Sequence, residues 1–276
     1  MAALERRTHL LLDAAWHAGI RYVDAARSYG YAEAFLGSWL AAHPDRRAAL
    51  TIGSKWGYEY VGEWRMDAPL HERKEHSCAM FDRQWPQTLS ALGTTPEVYL
   101  IHSVTPHSPA LADAALLDRL RRLAESGVCV GFSTSGPAQG AVLDRARRIP
   151  DSPFRAVQAT WNLWEQSAAS ALERAHDAGW LVVVKEALAN GRLAQAGPDT
   201  PIGQLARRDG QAAGAFALGA ALAQPWADVV LSGAVTAAQV HANLGASAPS
   251  VDPEELRAQA VEPDAYWAKR SARAWA

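Results

Sequence analysis

Seven short runs rich in β-branched residues recur along the chain, each separated from the next by a longer Ala/Leu/Arg-rich stretch. This alternation most constrains the fold. Parallel strands need a crossover long enough to hold a helix, so a strand–helix alternation sustained end to end implies βα units around a parallel sheet. The runs are RYVDAA, AALTIGSK, EVYLIHS, VCVGFSTS, RAVQATW, WLVVVKE and DVVLSG. Between them AEAFLGSWLAAH, DAALLDRLRRLAESG, QGAVLDRARR, AASALERAHDAG and GAFALGAALAQ place apolar residues three or four apart, as amphipathic helices do. Gly19, Gly127 and Gly179 each stop a helix just before a strand. With no linker or break in composition, the pattern predicts one domain over residues 1–276 built as a TIM-type (β/α) barrel. The competing architecture is an open doubly wound sheet, and the G-x-G-x-x-G that marks its dinucleotide site does not follow the first strand.

Bulk properties narrow the function classes. The chain is 49% hydrophobic and 20% charged with a net charge of -2, so neither nucleic acid nor an anionic membrane is the expected partner. The first twenty residues read as an amphipathic helix rather than a secretory leader, and no stretch of about 20 apolar residues occurs. Only Cys78 and Cys129 are present, so the expected location is a reducing cytoplasm.

In a barrel, the residues that end the strands carry the chemistry. Asp24 ends the first predicted strand, Lys55 the second and His102 the third, while Tyr29 lies on the loop after Asp24. Ser133 with Thr134, Gln158 with Asn162, Lys185 with Glu186, and Ser232 end the others. Asp, Tyr, Lys and His on one face make sense as a proton-delivery device. A phenol is a poor acid at neutral pH, and an ammonium beside it stabilises the phenolate. Asp24 would hold Lys55 charged and in place, and His102 would orient a carbonyl or relay the proton.

DAARSYGYAEAFLG, followed by a strand-end lysine and then a strand-end histidine, resembles the aldo-keto reductases in the order and spacing of its motifs. SKWGYEYVGEWRMDAP, VQATWNL, KEALANGRL and DAYWAKRSARAW resemble a bacterial branch of that family. The resemblance implies reduction of an aldehyde, ketone or sugar-like carbonyl, or the reverse oxidation, with Tyr29 as general acid. Lys55 and Asp24 would tune it, and His102 would orient the small-molecule substrate. It also implies a nicotinamide dinucleotide, NADP(H) first and NAD(H) second. Ser133, Thr134 and Gln158 would face the carboxamide, and Leu188, Gly191, Ser232, Gly233, Gln239 and Asn243 would line the remaining path. Trp56, directly after Lys55, is read as a substrate wall or, nearly as readily, as core packing.

Three departures from the family pattern bear on that cofactor. Lys185 stands where an aromatic ring stacks on the nicotinamide. Gly233 and Gln239 stand where basic residues grip the 2′-phosphate, leaving Arg192 as the substitute. The predicted elements begin at the helix that follows the first barrel strand, so an unpaired sheet edge is expected, a place for a second segment or a second chain. A scaffold with no cofactor that keeps only proton chemistry (lyase, cyclase, dehydratase or isomerase) and a non-catalytic binding subunit are therefore the alternatives. HERKEH spaces its histidines five apart, about 140° around a helix, where a zinc helix needs four. The two cysteines form no C-x-x-C pair. The long segment WGYEYVGEWRMDAPLHERKEHS is expected to act as a lid that sets specificity.

Overall fold

A computed structural model describes residues 1–62, 68 and 70–273. The central part of the expected lid, residues 63–67 and 69, lies outside the described residues, as does the end of the C-terminal motif from 274 onward. The chain folds as two compact units, one formed by Met1–Ser133 with Arg145–Val157, the other by Thr134–Asp144 with 158–273.

In chain order, the first unit opens with α1 (Ala2–His17), β1 (Tyr22–Asp24), α2 (Ala32–Ala42), β2 (Thr51–Trp56), β3 (Tyr58–Tyr60) and β4 (Glu72–Lys74). It continues with α3 (Cys78–Leu92), β5 (Val98–Val104), α4 (Ala114–Glu125) and β6 (Cys129–Thr134), whose last residue already falls in the second unit. Then come α5 (Gln139–Arg147), β7 (Ala156–Thr160), α6 (Ala169–Asp177), β8 (Leu181–Lys185), α7 (Pro201–Arg208) and α8 (Ala213–Leu222). The chain ends with β9 (Val229–Val230), α9 (Ala237–Leu244), α10 (Pro253–Arg257) and α11 (Pro263–Ser271). Seven strands hydrogen-bond in the order β1-β2-β5-β6-β7-β8-β9, and β3 pairs with β4 as a separate antiparallel hairpin. The fold is of the TIM-type (β/α) barrel class with seven of its strands, each at a position the sequence predicts. Among the described residues, β1 has only β2 beside it in the sheet order, and β9 has only β8. No helix among the described residues is long and apolar enough to cross a membrane.

Local chemistry explains the elements that hold the site. In α2, Phe35, Leu36, Trp39 and Leu40 fall on one helical stripe and are buried. Leu36, Trp39 and Leu40 form a core with Leu50, Ile52 and Leu92. Helices α2 and α3 approach so closely at Gly37 that a Cβ there would lie 2.1 Å from the Ala91 carbonyl oxygen. Helix α3, absent from the sequence reading, is capped by Ser77, whose side chain accepts from the Met80 N–H at 3.1 Å, and it closes on Gly93 at φ 68°. Pro86 sits inside it, and the stripe Met80, Gln84, Thr88 and Leu92 is buried nonetheless. In the second unit a separate core gathers Leu163, Leu193, Ile202, Phe216, Tyr266 and Trp267. The segment 71–76 holds strand β4 rather than a helix, so His71 and His76 are not spaced around a helical turn.

Candidate active site

The site in the first unit follows from strand register. In the parallel ladder Asp24 pairs with Gly53, and Lys55 pairs with Leu100. Side chains alternate faces along a strand, so Asp24, Lys55 and His102 share one face. Lys55 is wholly buried, and its ammonium bonds Asp24 Oδ2 at 2.5 Å and the Ala25 carbonyl at 2.8 Å. A buried ammonium costs several kcal/mol unless paired and hydrogen-bonded, which is what Asp24 and that carbonyl provide.

Tyr29 sits on the turn after β1, half exposed at 47%. Its ring centroid lies 4.9 Å from Lys55 Nζ, inside the range of a cation–π contact. Its hydroxyl is 3.5 Å from His102 Nε2, and the two rings meet edge to face at 5.5 Å. That separation is longer than a strong hydrogen bond, and both atoms lie within reach of one shared oxygen.

The turn carrying Tyr29 is fixed from below. Its backbone bonds run from Arg27 N to Lys55 O at 2.9 Å and from Tyr29 N to Ala26 O at 3.0 Å. The Arg27 guanidinium pairs with Glu33, a carboxylate only 1% exposed. Glu33 also accepts from Ser54 Oγ at 2.6 Å and Thr88 Oγ1 at 2.9 Å. Glu33 thus joins the Tyr29 turn to β2 and α3. Glu33 lies within the motif DAARSYGYAEAFLG, and the sequence alone gives it no role because its partners Ser54 and Thr88 are distant in the chain.

The hairpin β3–β4 brackets His102, and it too was missed. Tyr58 meets the His102 ring at 4.9 Å. His76 donates from Nε2 to the His102 carbonyl at 2.8 Å, and its Nδ1 bonds Ser108 Oγ at 2.6 Å. Since a carbonyl only accepts, this fixes the His76 proton on Nε2. Burial lowers the His76 pKa from 6.5 to about 4, so the ring is neutral at pH 7. Ser103, next to His102, takes the left-handed φ of 58° and is held there by its N–H to Ser133 Oγ at 2.7 Å and by Lys74 Nζ to its carbonyl at 2.6 Å.

Trp56 requires a correction. It lies on the face of β2 opposite Lys55, fully buried against Phe81 and His76 at 5.2 and 6.3 Å, so it is core. Tyr58, two residues on, is the β3 aromatic that stands beside His102, as Tyr29 does from the turn after β1.

In the first unit Ser133 is buried, as are Thr134 and Gln158 in the second. Also in the second unit, Lys185 Nζ bonds Thr160 Oγ1 at 2.9 Å, 3.8 Å from Glu186. Burial alone would raise the Glu186 carboxyl; Lys185 and Arg270 hold it below its ordinary value. Arg192 lays its guanidinium over Trp164 and Tyr266 at 5.2 and 5.0 Å and bonds the Ala189 carbonyl. Leu188 is partly buried against the second core, and Gly191 has φ 83°. Asn243 donates to Ser232 Oγ at 2.8 Å, Gln239 accepts from Val235 N at 2.8 Å, and Gly233 faces open space. Residues 228–245 hold neither Lys nor Arg. Within the second unit Ser232, Gln239 and Asn243 carry hydroxyl and amide groups of the kind that suit a dinucleotide's hydroxyls and amide, and 228–245 offers no arginine or lysine to a 2′-phosphate.

The sequence profile of the aldo/keto reductase family matches residues 5–258. A comparison with curated proteins finds no match. Among solved structures, an aldo-keto reductase from Bacillus halodurans in its holo form is similar at 20% identity over 94% of this chain and 88% of that one, with a TM-score of 0.74. The glycerol dehydrogenase of Gluconobacter oxydans is similar at 21% identity over 96% of this chain and 86% of that one, with a TM-score of 0.71. These likenesses establish the fold. With its sequence matched from residue 5 to residue 258, the chain belongs to the aldo/keto reductase family, a family of oxidoreductases that use nicotinamide cofactors.

Proposed function

We propose that the protein reduces an aldehyde or ketone, or oxidises the corresponding alcohol, with Tyr29 as the group that gives or takes the proton. One observation carries this reading: in the first unit the Tyr29 hydroxyl stands 3.5 Å from His102 Nε2, with its ring beside a fully buried Lys55 held by Asp24. A carbonyl oxygen bound between the phenol and the imidazole receives a hydrogen bond from each. As negative charge develops on that oxygen, Tyr29 hands over its proton, and the Lys55 ammonium stabilises the phenolate left behind. Asp24 keeps the ammonium charged and oriented. His102, its carbonyl pinned by His76, orients the substrate. When bound, a nicotinamide dinucleotide supplies the hydride that no side chain can.

The residues assigned to that group are Ser133, Thr134 and Gln158 for the carboxamide, and Leu188, Gly191, Ser232, Gly233, Gln239 and Asn243 for the rest. The position of Arg192 over two aromatic rings and the absence of Lys and Arg from 228–245 favour NAD(H) over NADP(H). The same features support a second reading, in which the tetrad performs proton transfer alone. The chain is read as one domain because its strand–helix alternation continues without a linker or a break in composition. Cys78 and Cys129 are both free thiols, in keeping with a reducing cytoplasm.

The test is titration with NADH and NADPH by tryptophan quenching, joined to aldehyde-dependent oxidation of whichever binds. Saturable binding with turnover supports the reductase. Absence of binding for both nucleotides refutes it in favour of proton chemistry alone.

A further inference from the structure

Beyond the tetrad, the β3–β4 hairpin sets an ammonium on the carbonyl of Ser103, the residue next to His102. Its register sets Tyr58 directly across from Lys74 and Glu59 across from Arg73. Cross-strand partners share a face, so the hairpin has two unlike faces. On one, Glu59 pairs with Arg73 and, at 3.3 Å, with Arg83, so charge there is met by charge. On the other lie Tyr58 and Lys74, and this is the face turned to His102. Lys74 Nζ bonds the carbonyl of Ser103 at 2.6 Å and lies 5.7 Å from the Tyr58 ring, which itself lies 4.9 Å from the His102 ring.

Among the described residues no carboxylate pairs with Lys74. Burial lowers its pKa, with no acid among the causes to offset that. Glu72 shares its face two residues back without pairing with Lys74; burial raises its carboxyl pKa, opposed by a hydrogen bond from Ser28. An ammonium has three N–H donors, and the Ser103 carbonyl uses one. An exposed cation with donors to spare, one aromatic ring away from a carbonyl-orienting imidazole, is suited to an anionic group on the molecule whose carbonyl His102 holds.

We propose that Lys74 is a specificity residue of this active site, and that the preferred substrate is an aldehyde or ketone carrying a carboxylate, bound with its carbonyl at Tyr29 and His102 and its anionic end at Lys74. This deepens the carbonyl-reductase reading and rests on it. The simpler role for Lys74, anchoring the hairpin to Ser103, needs a hydrogen-bond donor and no charge. Lys74→Gln keeps a donor and drops the charge, whereas Lys74→Arg keeps both.

The experiment compares kcat/KM for succinic semialdehyde against butanal, and for 4-carboxybenzaldehyde against benzaldehyde, in wild type and both variants. Tryptophan-monitored titration with succinate serves as a readout independent of turnover. The expected result is a wild-type preference for the carboxylated member of at least one pair, reduced about tenfold or more in Lys74→Gln and restored in Lys74→Arg. Succinate affinity should follow the same order. A selectivity ratio that Lys74→Gln leaves in place, or succinate binding indifferent to Lys74, overturns the proposal while leaving the reductase reading intact. If neither aldehyde of either pair turns over while succinate binding still depends on the charge at position 74, the reductase reading falls and the anion site stands.

Discussion

His76 makes the stability of the first unit depend on pH in a defined window. The residue is 4% exposed, with its ring between the Ser108 hydroxyl and the His102 carbonyl. Burial, opposed by the His102 carbonyl bond and reinforced by the Lys74 charge, lowers its pKa from 6.5 to about 4. The folded state therefore refuses a proton that the unfolded state accepts below 6.5. The stability this contributes is present in full above 6.5 and is lost as pH falls through the window toward 4. At ~1.4 kcal/mol per unit of pKa difference, the loss across the window is ~3 kcal/mol. Urea unfolding at about pH 7 and about pH 4.5, followed by tryptophan fluorescence, measures it, and Trp56, edge-on to the His76 ring, is a local reporter. Other groups titrate over the same range, so the readout is the difference between wild type and His76→Gln, whose amide can still donate to the His102 carbonyl. Wild type should lose ~2–3 kcal/mol more than the variant over that interval. Equal acid sensitivity in the two proteins would refute the assignment of a buried neutral ring.

Two further outcomes follow from the same packing. Glu33→Gln retains acceptance from Ser54 and Thr88 but loses the ion pair with Arg27, so it should destabilise the first unit by about 2–3 kcal/mol in thermal unfolding and lower kcat by loosening the Tyr29 turn. Unchanged kcat would show that the turn holds without it. Gly131→Ala would place a Cβ 2.2 Å from the Ala156 carbonyl oxygen, where backbone cannot yield cheaply; a loss of about 2–3 kcal/mol in urea unfolding is expected, and a neutral effect would count against the close β6–β7 packing.

Much of this architecture is legible in the sequence because parallel strands buried on both faces read as apolar runs ending in polar residues. Asp24, Lys55 and His102 stand out for that reason, and register then sets them on one face. Tyr29 is one of two tyrosines between β1 and α2, and the motif DAARSYGYAEAFLG is what singles it out. What escaped the reading depends on partners distant in sequence. Helix α3 is masked by Pro86, a residue that argues against a helix until the buried Met80–Leu92 stripe is seen. The hairpin β3–β4 carries Glu59 and Arg73 on one side and two three-residue strands too short to show a period, so Tyr58, Lys74 and His76 look like loop residues. His76 was weighed only as half of a zinc motif; its fixed tautomer appears once Ser108 and the His102 carbonyl are placed around it. Of the two roles open to Trp56, burial selects core, because adjacency in sequence to Lys55 means opposite faces on a strand.

The central claim is that Tyr29 is the proton donor, and Tyr29→Phe tests it most directly, because the substitution removes one oxygen and leaves the ring over Lys55. The account predicts that carbonyl reduction falls by about 10²–10⁴-fold while nucleotide quenching keeps its affinity. Wild-type turnover in the phenylalanine variant would contradict it.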